Sequence, residues 1–80
     1  MSPAAIEALE KAGISAQSIL QRHLLGDWGD VTDSDKRANE LAVELGGTIL
    51  SAYKLPGGTT VWILTAPDRS ATTVLLPDEA

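Results

Sequence analysis

The side chains in this sequence that could do chemistry are mostly carboxylates, and they are concentrated in one stretch. Between residues 27 and 44 there are six acids against two bases, Lys36 and Arg37. The acids are Asp27, Asp30, Asp33, Asp35, Glu40 and Glu44. Carboxylates at this density attract basic protein surfaces and repel nucleic acid. The stretch therefore predicts these six residues as contacts for a basic partner, and the alternative interpretation is that they serve solubility alone.

A catalytic interpretation has little support. His23 is the only histidine, and a serine triad built on it lacks the G-x-S-x-G turn. The aspartates do not have the ligand spacing of an EF-hand, and no phosphate-binding glycine motif or basic patch with aromatics is present. We expect His23 and Arg22 to lie in the last turn of a helix and to pair with nearby aspartates. The sequence thus predicts no catalytic residue, cofactor or metal site, and a small hydrolase is the weakest hypothesis.

Composition limits what can position these side chains. Eighty residues with a net charge of −5 form one domain with a modest core. The absence of cysteine excludes a disulfide or a thiolate metal site. The first residues lack the basic and apolar regions of a signal peptide, and no apolar run approaches the ~20 residues of a membrane span. We therefore expect a soluble cytoplasmic protein.

Helical patterns occupy residues 2–46. Three helices are predicted, each opened by a residue that can cap a helix N-terminus. The N-caps are Ser2, Ser15, and Thr32 or Asp33. In the third helix, apolar residues recur at the spacing of a buried face, and they are Ala38, Leu41, Ala42 and Leu45. Glu40 and Glu44 fall on the opposite face and are predicted to be exposed.

Strand patterns occupy residues 47–78, where the apolar period changes from 3.6 to about 2. The three strand-like runs are 48–55, 60–65 and 71–76. Glycines in the first connection favour a hairpin turn. The fold prediction is therefore a single α+β domain over 1–80, with a helical half (2–46) packed on a three-stranded antiparallel meander (47–78).

The least generic stretch is Gly-Asp-Trp-Gly-Asp at 26–30. A loop tryptophan usually folds back to bury its ring, and the flanking glycines permit the positive φ that this reversal needs. We predict that Trp28 is a structural plug beneath the helices. The alternative is that it contacts a partner.

The middle strand is apolar on both faces. Val61 and Ile63 point to one side, and Trp62 and Leu64 point to the other. If the helices cover only the first side, the second is an exposed apolar patch, and such patches mark interfaces. Trp62 is therefore an alternative partner-binding residue, in a homodimer or in another complex.

A second polar turn, Asp68-Arg69-Ser70, follows the middle strand. Asp68 is expected to accept backbone N–H bonds within the turn. Arg69 is expected to reach an acid of the helical half. The alternative is that Arg69 binds a partner.

The order of these motifs resembles that of a known protein family. The motifs are Arg-His-x-x-Gly-Asp-Trp-Gly-Asp at 22–30, Asn39, Leu-Ser-x-Tyr at 50–53, Trp-Ile-x-Thr at 62–65 and Asp-Arg-Ser-x-Thr-Thr at 68–73. Together they resemble a family of small acidic proteins carried by phages, plasmids and other mobile elements. The chain also resembles anti-CRISPR proteins directed against type I-C systems.

The resemblance implies a function without catalysis. An anti-CRISPR protein of this kind binds the RNA-guided surveillance complex in the bacterial host cell, so that target DNA is not engaged. The expected partner is the basic DNA-binding surface of a subunit, with no direct contact to nucleic acid or membrane. The alternative function is a homodimeric accessory or structural protein of a mobile element, held together by the Trp62 face.

Overall fold

Three helices precede a three-stranded antiparallel sheet in the structure, a computed structural model that describes residues 1–79. The elements are α1 (Pro3–Ala12), α2 (Ala16–Leu24), α3 (Asp33–Leu45), β1 (Ile49–Lys54), β2 (Thr60–Thr65) and β3 (Thr72–Leu75), followed by a short 3₁₀ turn at Pro77–Glu79. The strand order is β1-β2-β3. The predicted α+β class, with helices before a meander, is confirmed. No helix in the described part of the chain has the length and hydropathy needed to cross a bilayer.

Side-chain hydroxyls begin all three helices. Ser2, Ser15 and Thr32 each accept a hydrogen bond from the backbone N–H three residues later, at 3.1–3.2 Å. Each bond satisfies a donor that the first helical turn leaves unpaired, and such caps contribute about 1 kcal/mol. The predicted caps are confirmed, and Thr32 takes this position in preference to Asp33.

α1 and α2 pack on one face of the sheet. The buried core residues are Ala5, Leu9, Ile19, Tyr53, Leu55, Val61, Ile63 and Val74. β2 alternates as predicted, because Val61 and Ile63 are fully buried in this core. Trp62 and Leu64 point to the other face and are partly exposed. The helices therefore leave that face less covered.

α3 lies beside the sheet in an orientation that the sequence did not predict. Three of its four apolar residues that were expected to be buried are exposed. They are Ala38, Leu41 and Leu45, whereas Ala42 is buried. Asn39 is buried instead, and its carboxamide pairs with both the N–H (3.1 Å) and the C=O (2.7 Å) of Leu50 on β1. The helix faces a strand edge, where backbone groups need polar partners more than apolar ones.

Candidate functional site

The Gly-Asp-Trp-Gly-Asp stretch lies along the outer edge of β1. The N–H of Ala52 donates to the C=O of Trp28 (3.1 Å), and the N–H of Asp30 donates to the C=O of Ala52 (2.7 Å). The Asp30 carboxylate accepts the next outward N–H, that of Lys54, at 2.9 Å. Together with Asn39, this segment pairs the edge that β1 would otherwise expose.

Gly29 is at the closest point of this approach. A Cβ at this position would lie 2.1 Å from the carbonyl oxygen of Ala52 and 2.7 Å from the Tyr53 ring. Its φ of +74° is also in the left-handed region. Glycine is therefore required here for both space and backbone conformation.

Asp27 is held by its neighbours. Its carboxylate accepts two hydrogen bonds from the Arg22 guanidinium, the shorter at 2.7 Å, and its backbone carbonyl accepts the Tyr53 hydroxyl at 2.7 Å. The same guanidinium lies 4.6 Å from the centre of the Tyr53 ring, within cation–π range. The hydrogen bond from Arg22 lowers the pKa of Asp27. The predicted pairing of Arg22 with an aspartate is confirmed.

His23 is buried and pairs with hydroxyls. Its Nδ1 is hydrogen-bonded to Ser51, its Nε2 lies 2.7 Å from the Thr65 hydroxyl, and that hydroxyl lies 3.1 Å from Thr72. The expected pairing of His23 with an aspartate is therefore wrong, because His23 follows Ile19 by four residues and shares its buried face. Burial lowers the pKa of the imidazole. Ser51 is fully buried, so its hydroxyl is out of reach of a substrate in this conformation.

Trp28 lies between this polar network and the surface. Its ring meets the His23 ring edge-on, with 5.9 Å between centroids. The ring is only partly buried. Trp28 is therefore only in part the buried plug that was predicted. Its exposed part is accessible to a partner.

Arg69 fastens the second polar turn to the end of α3. Its guanidinium donates to the carbonyls of Ala42 and Gly47, both at 2.7 Å, and to that of Ala66 at 3.2 Å. The expectation that Arg69 reaches an acid is therefore wrong. The Ala42 carbonyl also accepts the N–H of Gly46 (2.9 Å), and the partial negative charge at the helix C-terminus attracts the cation. Asp68 accepts the N–H of Ser70 at 3.0 Å, as predicted.

An open groove runs between the end of α2 and α3, with a volume of about 530 Å³. We call it the α2–α3 groove, and it is formed by Leu24, Leu25, Gly26, Trp28, Glu40, Val43 and Glu44. Leu24 and Leu25 are 79% and 81% exposed, and Val43 is 58% exposed. The groove is therefore an apolar surface open to solvent with two carboxylates on its α3 side.

The six carboxylates predicted to bind a partner are in different environments. Asp27 and Asp30 are engaged within the chain, as described above. The other four, Asp33, Asp35, Glu40 and Glu44, are exposed on α3. Asp33, Glu40 and Glu44 lie on one side of the helix, and we call these three the acidic face; Asp35 lies about 160° around the helix from them. Asp33 and Asp35 lie in the first turn, where their negative charge stabilises the helix by interacting with the partial positive charge of its N-terminus. Arg37 lies between Asp33 and Glu40 on the same side of the helix, and Lys36 precedes Glu40 by four residues, so the face includes two bases.

The sequence interpretation gave Trp28 as an alternative contact residue but missed the three aliphatic residues of the groove. Leu24 and Leu25 directly follow His23, which is the last buried residue of α2. Val43 directly follows Ala42, which faces the sheet. Adjacent leucines at a helix end, one residue beyond the buried stripe, are the signal that could have identified this surface.

No three His, Asp or Glu side chains within residues 1–79 are grouped as metal ligands. Comparison of the chain with protein-family models, curated proteins and solved structures gives no match. A functional proposal therefore depends on the chemistry of the acidic face, the α2–α3 groove and the Trp62 side of the sheet.

Proposed function

We propose that this protein is a non-enzymatic inhibitor that binds a basic protein surface through the acidic face of α3 and so prevents that surface from holding nucleic acid. The resemblance to anti-CRISPR proteins suggests the target, the DNA-binding surface of a type I-C surveillance complex. The observation that supports the proposal most is that these carboxylates are exposed and form no ion pair within the described part of the chain. Asp33, Glu40 and Glu44 are all exposed, and the ion pairs among residues 1–79 are Glu7–Lys11 and Arg22–Asp27, neither of which involves α3.

The spacing of the carboxylates limits how much of the affinity they supply. Asp33, Glu40 and Glu44 extend over about 16 Å of helix, at a rise of ~1.5 Å per residue. One DNA strand carries a charge every ~3.4 Å. The acidic face can therefore occupy only a few lysines or arginines, which is enough to steer association and to compete for a small site.

A target-DNA mobility-shift assay tests the proposal. Purified type I-C complex is captured with the protein and then offered labelled target DNA. The wild type is expected to be retained by the complex and to reduce the shifted DNA. The variant with Asp33, Glu40 and Glu44 all changed to lysine is expected to lose both effects while keeping its circular dichroism spectrum. A wild-type protein that neither binds the complex nor reduces DNA binding contradicts the proposal.

The second candidate function is a homodimeric accessory protein of a mobile element. One observation favours it, which is a row of partly exposed apolar residues on the sheet face opposite the core. The row consists of Leu50, Trp62, Leu64 and Leu75. Sedimentation of the wild type and of Trp62→Ala separates the candidates. A wild-type dimer that Trp62→Ala converts to a monomer, with no effect of the lysine variant on any binding, favours this function.

A further inference from the structure

We propose that the α2–α3 groove binds a partner segment in which a large apolar side chain is flanked by lysine or arginine. This inference extends the proposed function, because Glu40 and Glu44 belong to both surfaces. It adds a second contact of different chemistry, and it specifies which basic surfaces the protein can recognise.

The floor of the groove has the properties of a binding surface. Leu24, Leu25 and Val43 expose most of their side chains, and they adjoin the partly buried ring of Trp28. Contiguous exposed apolar surface of this kind marks contact sites in soluble proteins. Burying it provides favourable free energy that the sparse carboxylates do not supply.

Contacts within the protein hold the Trp28 ring in place without a partner. It packs against the His23 ring in a T-shaped arrangement, and His23 is itself held by hydroxyls on β1 and β2. The backbone of Trp28 is paired with Ala52 of β1. A rigid aromatic wall loses little conformational entropy on binding, which is the property of interface residues that contribute most to affinity.

The charge beside this floor determines the chemistry of the partner. Glu40 and Glu44 line the groove and are exposed, and neither belongs to an ion pair within residues 1–79. Two bases lie on the same side of the helix. Arg37 lies with Leu41 on the outer side of these two carboxylates, and Lys36 precedes Glu40 by four residues. A segment with an apolar side chain in the groove and cations on either side of it complements both features.

Other occupants fit less well. A two-fold contact between copies of this chain places the same patch on both sides, which brings the Glu40 and Glu44 carboxylates of two copies together. Like charges at an interface disfavour that arrangement. An acidic or nucleic-acid ligand meets the same repulsion.

Two synthetic peptides provide a direct test. The probe is an acetylated, amidated hexapeptide with two central leucines and two lysines at each end, and its control has serines in place of the leucines. Binding is followed by the fluorescence of Trp28 in a Trp62→Phe background, where it is the remaining indole. The leucine peptide is expected to bind saturably and at least tenfold more tightly than the serine peptide. Absence of saturable binding, or equal affinity for the two peptides, contradicts the proposal.

Protein variants then locate the site. Val43→Ser and the double variant Glu40→Gln/Glu44→Gln are each expected to weaken binding of the leucine peptide at least tenfold. Leu45→Ser is the matched control, because Leu45 is 79% exposed on the same helix but lies outside the groove. If Leu45→Ser weakens binding as much as Val43→Ser does, the groove is not the site. If Val43→Ser abolishes a concentration-dependent dimer, the occupant is a second copy and the proposal is wrong.

The peptide assay also separates this inference from the proposed function, because it needs no surveillance complex. If the protein binds the peptide in the groove but never reduces DNA binding by the complex, the groove proposal is supported and the proposed target is wrong. A Val43→Ser protein that inhibits fully, but no longer binds the peptide, shows that the inhibitory surface does not use the groove.

Discussion

Asn39 and Gly29 serve the outer edge of β1 by different means. The carboxamide of Asn39 offers one donor and one acceptor, which match the C=O and N–H of Leu50. Gly29 has no side chain, so the backbone beside it can approach Ala52. Asn39 was visible in the sequence as part of a motif. Its role was not, because nothing in one sequence specifies which strand edge a helix will lie against.

Asn39→Leu tests this role. The apolar side chain fills the same volume but leaves the N–H and C=O of Leu50 without their partners, and each unsatisfied group costs about 1–3 kcal/mol. We expect the free energy of unfolding in urea to fall by roughly 2–4 kcal/mol, from the same range. Ala38→Leu is the control, since Ala38 is exposed on the same helix. If the two variants are equally stable, Asn39 does not support the edge.

His23 gives the fold a specific pH dependence. Burial lowers the pKa of its imidazole in the folded protein, so the unfolded chain takes up the proton first. Stability is therefore fully present above the ordinary histidine pKa of about 6.5 and decreases as the pH falls below it. The carboxylates with lowered pKa values, Asp27, Asp68 and Glu79, act at more acidic pH, below their ordinary pKa values near 4.

Urea unfolding between about pH 7.5 and 5 measures this contribution. We expect wild-type stability to decrease over that interval. His23→Gln retains hydrogen-bonding groups but does not titrate, so its stability is expected to vary less, although it starts lower. Parallel pH profiles for the two proteins contradict a neutral, buried His23.

At the scale of elements, α3 is the helix whose existence was predicted and whose orientation was not. Its N-cap and length follow from Thr32 and the residues after it. Its sequence contains apolar residues on more than one side, and the structure buries Asn39 beside the predicted Ala42 while both leucines are exposed. The helix is thus rotated by roughly one residue from the predicted orientation, at ~100° per residue. That rotation exposes Leu41 and Leu45 and turns Val43 toward the end of α2, where it lines the groove.

Arg69 fixes the end of this helix, and Arg69→Lys tests that contact. One ammonium does not reproduce the fork that binds the carbonyls of Ala42 and Gly47 together. We expect the amide of Gly46, which donates to Ala42, to exchange faster with deuterium. The unfolding free energy should fall by about 1–2 kcal/mol, since bonds to charged groups contribute ~1.5–3 kcal/mol and some remain. Arg37→Lys is the control, and equal exchange in both variants contradicts the assigned contact.

At the scale of the whole molecule, the net charge is −5, and residues 27–44, with six acids and two bases, account for −4 of it. The sequence allowed the α+β class to be predicted because its apolar period changes once, near Gly47. It did not distinguish the carboxylates that support the fold from those that are free. Asp27 and Asp30 are the same residue type as Asp33 and Asp35 and lie close to them in the sequence. They differ in their contacts, because Arg22 of α2 binds the Asp27 carboxylate and the Lys54 N–H of β1 binds that of Asp30.

Binding of the proposed target should depend on salt. Exposed charges are screened within a Debye length of about 10 Å at 0.1 M salt and about 3 Å at 1 M. We expect the association rate with the type I-C complex to fall at least tenfold between 0.05 and 0.5 M sodium chloride, and the dissociation rate to change less. Surface plasmon resonance measures both rates. An association rate that does not vary with salt shows that the acidic face does not steer binding.

The most direct test of the central claim compares two variants of identical net charge. One has Asp33, Glu40 and Glu44 changed to lysine, and the other has Glu7, Glu10 and Asp78 changed to lysine. All six are exposed, so both proteins are expected to fold. The measurement is the concentration that halves target-DNA binding by the complex. We predict that the α3 variant no longer inhibits and that the second variant inhibits within about threefold of the wild type. Equal loss in both would mean that net charge alone acts, and full inhibition by the α3 variant would contradict the claim that its acidic face binds the partner.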